Sequence, residues 1–238
     1  MPGDGDAGGL DRLARNGEAA DDEGRECIAK GAFVDTGRSF DLIETMRFDP
    51  HEGVAEIERH LARMKASAEA LGFSFDRHDA RNELQAGTFR LKTPHRLRLL
   101  LSHSGAVAIE ARPLVHAAEA PLRVKLAPLP VPTDDFRLRH KTSDRAFYDQ
   151  ARIDSGVDEV VFADPDGFLT EGSFTSLFVE RDGYLLTPPL SRGLLPGILR
   201  AGLIAEGRAL ESDLRPTDLQ DIFFVGNAVR GLIAARLA

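Results

Sequence analysis

Between residues 39 and 113 the apolar positions alternate between strand and helix periods. The stretch 39–46 reads as a strand, and Asp49-Pro-His-Glu-Gly53 supplies turn chemistry after it. Ile57, Leu61, Met64, Ala68 and Leu71 then recur at steps of four and three, with Gly72 just beyond. That is the apolar stripe and the stop signal of an amphipathic helix. The pattern further predicts a helix around 78–86 and strands over 96–102 and 106–112, joined by a hairpin turn at Ser104-Gly105. The second half predicts a helix over 141–155, a strand over 159–163 and a turn at Asp164-Pro-Asp-Gly167. Next come a hairpin of 174–180 with 184–187, a helix that opens at Pro196 and stops at Gly207, and a buried strand over 221–225. Strands in groups with interspersed helices predict an α/β chain with mixed, α+β-type sheets.

The run 121–132, with Pro121, Pro128, Pro130 and Pro132, reads as a strand that emerges into a stiff connection, placed at 119–132 between a small α/β domain at 27–118 and a C-terminal domain at 133–238. Residues 1–26 hold eight acids against three arginines and six of the 22 glycines, which predicts a disordered acidic tail. The net charge of −8 leaves only −3 for the rest of the chain, an argument against nucleic acid as a partner. No apolar run approaches the ~20 residues of a membrane span, and no signal segment opens the chain, so a cytoplasmic location is expected. The single cysteine, Cys27, and seven scattered histidines offer neither a disulfide nor a metal-ligand spacing.

Only five of the 30 basic residues are lysines, and one of them, Lys141, comes directly after Arg137, Arg139 and His140. Neighbouring positive charge and burial both lower a lysine pKa and so activate its amine; a solvated basic loop is the alternative. Glu171, beside Gly172, could hold a proton on a ring nitrogen or face water in a turn. The segment 193–200 is a glycine-bearing loop opening a helix, whose free N–H groups suit an anion such as phosphate. Asn227 and Ala228 sit at a second small-residue corner, and Arg63 borders the apolar face of its helix.

Taken in order, His60-Leu-Ala-Arg-Met64, His140-Lys-Thr-Ser-Asp-Arg145, Leu169-Thr-Glu-Gly-Ser173, Leu195-Pro-Gly-Ile-Leu-Arg200 and Gly226-Asn-Ala228 resemble the class IV aminotransferase family over nearly all of residues 27–238. The resemblance implies a two-domain fold type IV pyridoxal-phosphate enzyme, similar to the D-amino acid aminotransferases, with the cofactor in the cleft between domains. It implies that Lys141 carries the cofactor and moves the proton, that Glu171 pairs with the ring nitrogen, and that Arg63 and the N–H groups of Ile198 and Leu199 hold the phosphate. Asn227 stands where relatives often place a phosphate-binding threonine, and Tyr148 lies beyond Lys141 on the way to the cofactor. Within the family, segments 40–46, 140–149 and 225–232 are most similar to the aminodeoxychorismate lyases. These release pyruvate from 4-amino-4-deoxychorismate to leave 4-aminobenzoate, a folate precursor. Such a substrate carries an amine and two carboxylates, for which Arg47 and Arg145, with Arg98 and Arg230, are candidate partners. The alternative is a transaminase for branched-chain or D-amino acids. The resemblance also implies a homodimer and an association with aminodeoxychorismate synthase.

Overall fold

The computed structural model describes residues 40–115 and 120–238, and the backbone of 26–29. Residues 1–25, which carry most of the expected acidic tail, and the side chain of Cys27 lie outside the described residues.

The smaller of two sheets is formed by β1 (Glu26–Ala29), β2 (Leu42–Asp49), β3 (Gly53–Val54), β4 (His95–Leu101) and β5 (Val107–Pro113). Their order is β1-β5-β4-β2-β3, and every pair is antiparallel. Alternation along β2 buries Leu42, Glu44, Met46 and Phe48 on one face and leaves Arg47 exposed on the other. Helix α1 (Ile57–Leu71) lays His60, Leu61, Met64 and Ala68 on that buried face. It ends at Gly72, whose φ of 72° is the left-handed conformation that glycine adopts without a Cβ clash. Helix α2 (Arg77–Thr88) is capped by Asp76, which accepts from the N–H groups of His78 and Asp79, and buries Ala80 and Leu84.

The larger sheet comprises β6 (Leu122–Pro128), β7 (Glu159–Ala163), β8 (Leu169–Gly172), β9 (Ser176–Arg181), β10 (Tyr184–Thr187), β11 (Ala209–Glu211), β12 (Phe223–Asn227) and β13 (Gly231–Leu237). The order is β11-β10-β9-β12-β13-β6-β7-β8, and β8 also meets β9 where Glu171 faces Ser176. Six strands therefore close on themselves around Val124, Val161, Leu169, Leu177, Phe223 and Val225, all fully buried. Outside the sheet lie α3 (Phe136–Arg139), α4 (Ala146–Ser155) and α5 (Ile198–Ala205).

Four expectations change. The expected helix over 141–155 begins only at Ala146, because Lys141–Ser143 is extended along the edge of β2, which the two-residue β3 leaves open. Residues 122–128, expected as a strand emerging into a connection between domains, form instead an interior strand of the larger sheet, between β13 and β7; the prolines flank it or end it, where no ladder N–H is lost. Glu171, for which a water-facing turn position was one reading, is instead buried in a strand of its own, β8. Finally, 231–237 pairs with β12 and β6, a strand that the Gly226–Gly231 corner conceals in the sequence.

Candidate active site

Lys141 is held where the two sheets meet. The Ile43 N–H donates to the Lys141 carbonyl at 2.8 Å, and the Ser143 N–H donates to the Asp41 carbonyl at 2.8 Å. The Asp41 N–H in turn donates to the Ser143 hydroxyl at 2.9 Å. These bonds make residues 141–143 an extra edge on β2 and fix the direction of the lysine. His140 Nδ1 lies 3.0 Å from the Ser67 hydroxyl and ties the same segment to α1. Burial, reinforced by the charges of Arg145 and Arg63, brings the Lys141 amine down to about 7, although Glu44 and Glu171 oppose the shift. A sizeable fraction of Lys141 is therefore the free amine at neutral pH.

Glu171 is buried in β8, one residue before the strand ends. Burial pushes its carboxyl up, against Arg145, the Tyr148 hydroxyl, the Leu195 N–H and Lys141, which favour the ionised form. Tyr148, on α4, donates its hydroxyl to Glu171 Oε1 at 2.7 Å and is wholly buried, so it stands behind the carboxylate and orients it. Arg145 stacks its guanidinium 4.5 Å from the Tyr148 ring centre, and its buried Nη1 has no hydrogen-bond partner among the described residues.

Arg63 enters from α1. Its Nε donates to Glu44 Oε1 at 2.8 Å and its Nη2 to Glu44 Oε2 at 2.6 Å, while Nη1 donates to the Pro196 carbonyl at 2.8 Å. His60 Nδ1 meets the same Glu44 Oε2 at 2.6 Å. Burial would raise Glu44, but Arg63 and His60 outweigh it and hold the carboxyl down at about 2. The three bonds to Glu44 and Pro196 use three of the five guanidinium N–H groups and leave two, and the Nη1 bond to Pro196 brings the group beside the start of α5. There the N–H groups of Ile198 and Leu199 open the helix after the Gly197 cap. Side chains at Gly197 and Gly226 would collide with Ser176 Oγ and with the Gly231 carbonyl and Leu199, so the backbone is bare on both sides of the cradle. Asn227 reaches this neighbourhood with its side chain bracing the corner. Its Oδ1 accepts from the Val229 and Arg230 N–H groups, and Nδ2 gives one hydrogen to the Phe174 carbonyl.

Because Glu44 ionises far more readily folded than the usual 4.5, its stabilisation is complete above that value and drains away as pH falls toward 2. The shift corresponds to on the order of 3 kcal/mol. Acid unfolding tracked by circular dichroism should show this loss in the parent protein and its absence in Glu44→Gln. Glu44→Ala leaves the Arg63 charge without its carboxylate and should cost about 3–5 kcal/mol in urea unfolding at neutral pH.

The candidate carboxylate partners divide. Arg145 adjoins Lys141 and Glu171 electrostatically, and Arg98 faces Thr45 across the strand pair, with its charge acting on Asp41 beside the Lys141 segment. Arg47 lies farther along β2, opposite Arg96, which is itself opposite Arg112. The charges of Arg112, Arg230 and Arg98, together with burial as the larger cause, depress Arg96. Glu44 is a functional residue of the site that the sequence motifs do not include. Its signal is a carboxylate in the inward phase of a strand, ahead of a helix whose apolar stripe is bordered by both His60 and Arg63.

The family model for amino-transferase class IV matches residues 41–237. The chain belongs to the class IV aminotransferase family. It is 30% identical to the "Putative aminodeoxychorismate lyase" of Schizosaccharomyces pombe over 178 residues, 72% of this chain and 76% of that one. It is 31% identical to the "Probable branched-chain-amino-acid aminotransferase" of Thermotoga maritima over 162 residues, covering 64% of this chain and 58% of that protein. Among solved structures, the "Putative amino-acid aminotransferase" of Mesorhizobium loti superposes with a TM-score of 0.79 at 40% identity, covering 84% of this chain and all of that one. The mixed α/β architecture of this class IV member is accordingly that of the fold type IV transaminases, as the sequence motifs imply.

Proposed function

We propose that the chain is a pyridoxal-phosphate-dependent lyase that converts 4-amino-4-deoxychorismate to 4-aminobenzoate and pyruvate. The observation that carries the cofactor reading is the placement of a buried, low-pKa Lys141 between the Glu171–Tyr148 pair and the Arg63–α5 cradle. These residues fit the group. A reactive amine suits its aldehyde, a buried carboxylate suits its ring nitrogen, and two spare guanidinium hydrogens with bare helix-start N–H groups suit its phosphate. When bound, the cofactor supplies an electron sink for negative charge at the carbon bearing the substrate nitrogen.

Lys141, as the free amine, takes the proton from that carbon. Glu171, held by the Tyr148 hydroxyl and the Leu195 N–H, keeps a proton at the ring nitrogen. Arg63 with Ile198 and Leu199 fixes the phosphate, and Arg145 and Arg98 are the best-placed partners for the substrate carboxylates. As the ring becomes aromatic, the C–O bond to the enolpyruvyl group breaks with its electrons on oxygen. Lys141 returns its proton to the enol carbon, giving pyruvate, so no oxidant or amino acceptor is consumed.

The S. pombe relative and the segments 140–149 and 225–232 favour the lyase. The M. loti structure, at 40% identity, favours an amino-acid aminotransferase as the second reading. The two separate in one assay of the loaded protein with 4-amino-4-deoxychorismate and no 2-oxo acid. The lyase releases 4-aminobenzoate and pyruvate in equal amounts over many turnovers. No release, together with turnover of amino-acid donors when a 2-oxo acid is present, would establish the transaminase instead.

A further inference from the structure

Glu159 opens β7, is fully buried, and has no part in the chemistry above. Its carboxylate sits inside the turn immediately after Glu171. Oε1 accepts from the Ser173 N–H at 2.9 Å, the Ser173 hydroxyl at 2.5 Å and the Val160 N–H at 2.9 Å. Oε2 accepts from the Thr175 hydroxyl at 2.7 Å and the Phe174 N–H at 3.3 Å. Burial pushes the Glu159 carboxyl up, while these donors favour its ionised form. The turn wraps the carboxylate so tightly that a Cβ at Gly172 would collide with both Thr175 Oγ1 and Glu159 Oε2. The same turn closes through the Gly172 N–H to the Thr175 carbonyl at 2.7 Å and the Ser173 N–H to the Val160 carbonyl at 3.0 Å. Glu171 is the residue immediately before it and pairs across the turn with Ser176.

We propose that Glu159 is a positioning residue for the reaction: it folds residues 172–175 around its carboxylate and thereby sets where Glu171 presents its own. The proposal rests on the reading of Glu171 as the ring-nitrogen partner. A carboxylate that must meet one ring atom tolerates displacement of only about 0.5 Å, and Glu171 has Tyr148 on one side and this turn on the other. Ionised Glu159 offers acceptors alone, and each group bonded to it donates, three of them backbone N–H groups that cannot accept. Glutamine at 159 keeps the volume but puts an N–H group against one of those donors, so it disturbs the turn without opening a cavity.

The test compares the parent, Glu159→Gln, Glu171→Gln and the double variant, each loaded with pyridoxal phosphate. Two quantities are read: kcat, and the pH midpoint of the cofactor's visible absorption. Glu159→Gln should slow turnover by about 10- to 100-fold and move the midpoint by about half a unit or more. The double variant should be no slower than Glu171→Gln alone, because one residue acts through the other. An equal loss from Glu159→Gln in both backgrounds, or an unmoved midpoint, overturns the proposal and leaves the role of Glu171 intact. Normal turnover in Glu171→Gln overturns the ring-partner reading and this proposal with it. Should Glu159→Gln not fold, Thr175→Val removes one donor only and should move the midpoint in the same sense with a few-fold loss of rate; an unmoved midpoint and rate there also overturn the proposal.

Discussion

Replacing Lys141 with alanine should reduce turnover by at least ~10⁴-fold and remove the visible absorption of bound cofactor. The effect is this large because no other described lysine stands in the site. The lysine amine is brought down to about 7 by burial and by Arg145 and Arg63, and it is fixed by a two-sided bridge to β2. Lys65 projects from the exposed side of α1, and Lys125 donates to the Ser155 carbonyl at an exposed position of β6, so neither can take over. The backbone bonds of 141–143 do not involve the side chain. The variant should accordingly keep its far-ultraviolet circular dichroism and its unfolding midpoint, so that the loss is chemical. Steady-state kinetics and an absorption spectrum of the same preparation check both halves; residual turnover within 100-fold of the parent would mean that another group moves the proton.

Glu171→Gln should keep the fold and most of the bound cofactor but lower kcat by about 10²–10³-fold, with little change in KM. The amide preserves volume and the acceptor for the Tyr148 hydroxyl, yet it cannot hold the ring nitrogen's positive charge. Tyr148→Phe removes only the brace, and the expected loss is about 10-fold. The larger effect of the carboxylate than of its brace distinguishes a group that touches the cofactor from one that orients it. Stopped-flow absorption at saturating substrate measures the difference directly; equal losses in the two variants would contradict the assigned division of roles.

Much of this was legible in local pattern. The α1 stripe with Gly72, the 95–113 hairpin and the Asp164–Gly167 turn rest on neighbouring residues, and they appear in the structure within a residue or two of their expected bounds. Scarcity and neighbourhood draw notice to Lys141 and Glu171, but only the family resemblance gives them roles; the structure brings both into one buried site. The features that stayed hidden depend on partners far along the chain. The extended form of 141–143 is imposed by β2, about 100 residues earlier, against the helical tendency of the adjoining residues 146–155. β13 exists because β6 and β12 flank it, and its own residues read as a corner. Glu44 and Glu159 sit in strands whose local pattern does not show what covers them: a helix closes over the first and a turn over the second. Buried charge is a tertiary property, since one residue's phase gives its direction but not its partner.

Borohydride reduction of the loaded protein, followed by digestion and mass spectrometry of the peptides, identifies the lysine that carries pyridoxal phosphate. One modified site is expected, on the peptide containing Lys141, and none on the peptides containing Lys65, Lys92 or Lys125. A cofactor adduct on any other lysine, with the Lys141 peptide unmodified, would mean that Lys141 is not the carrier.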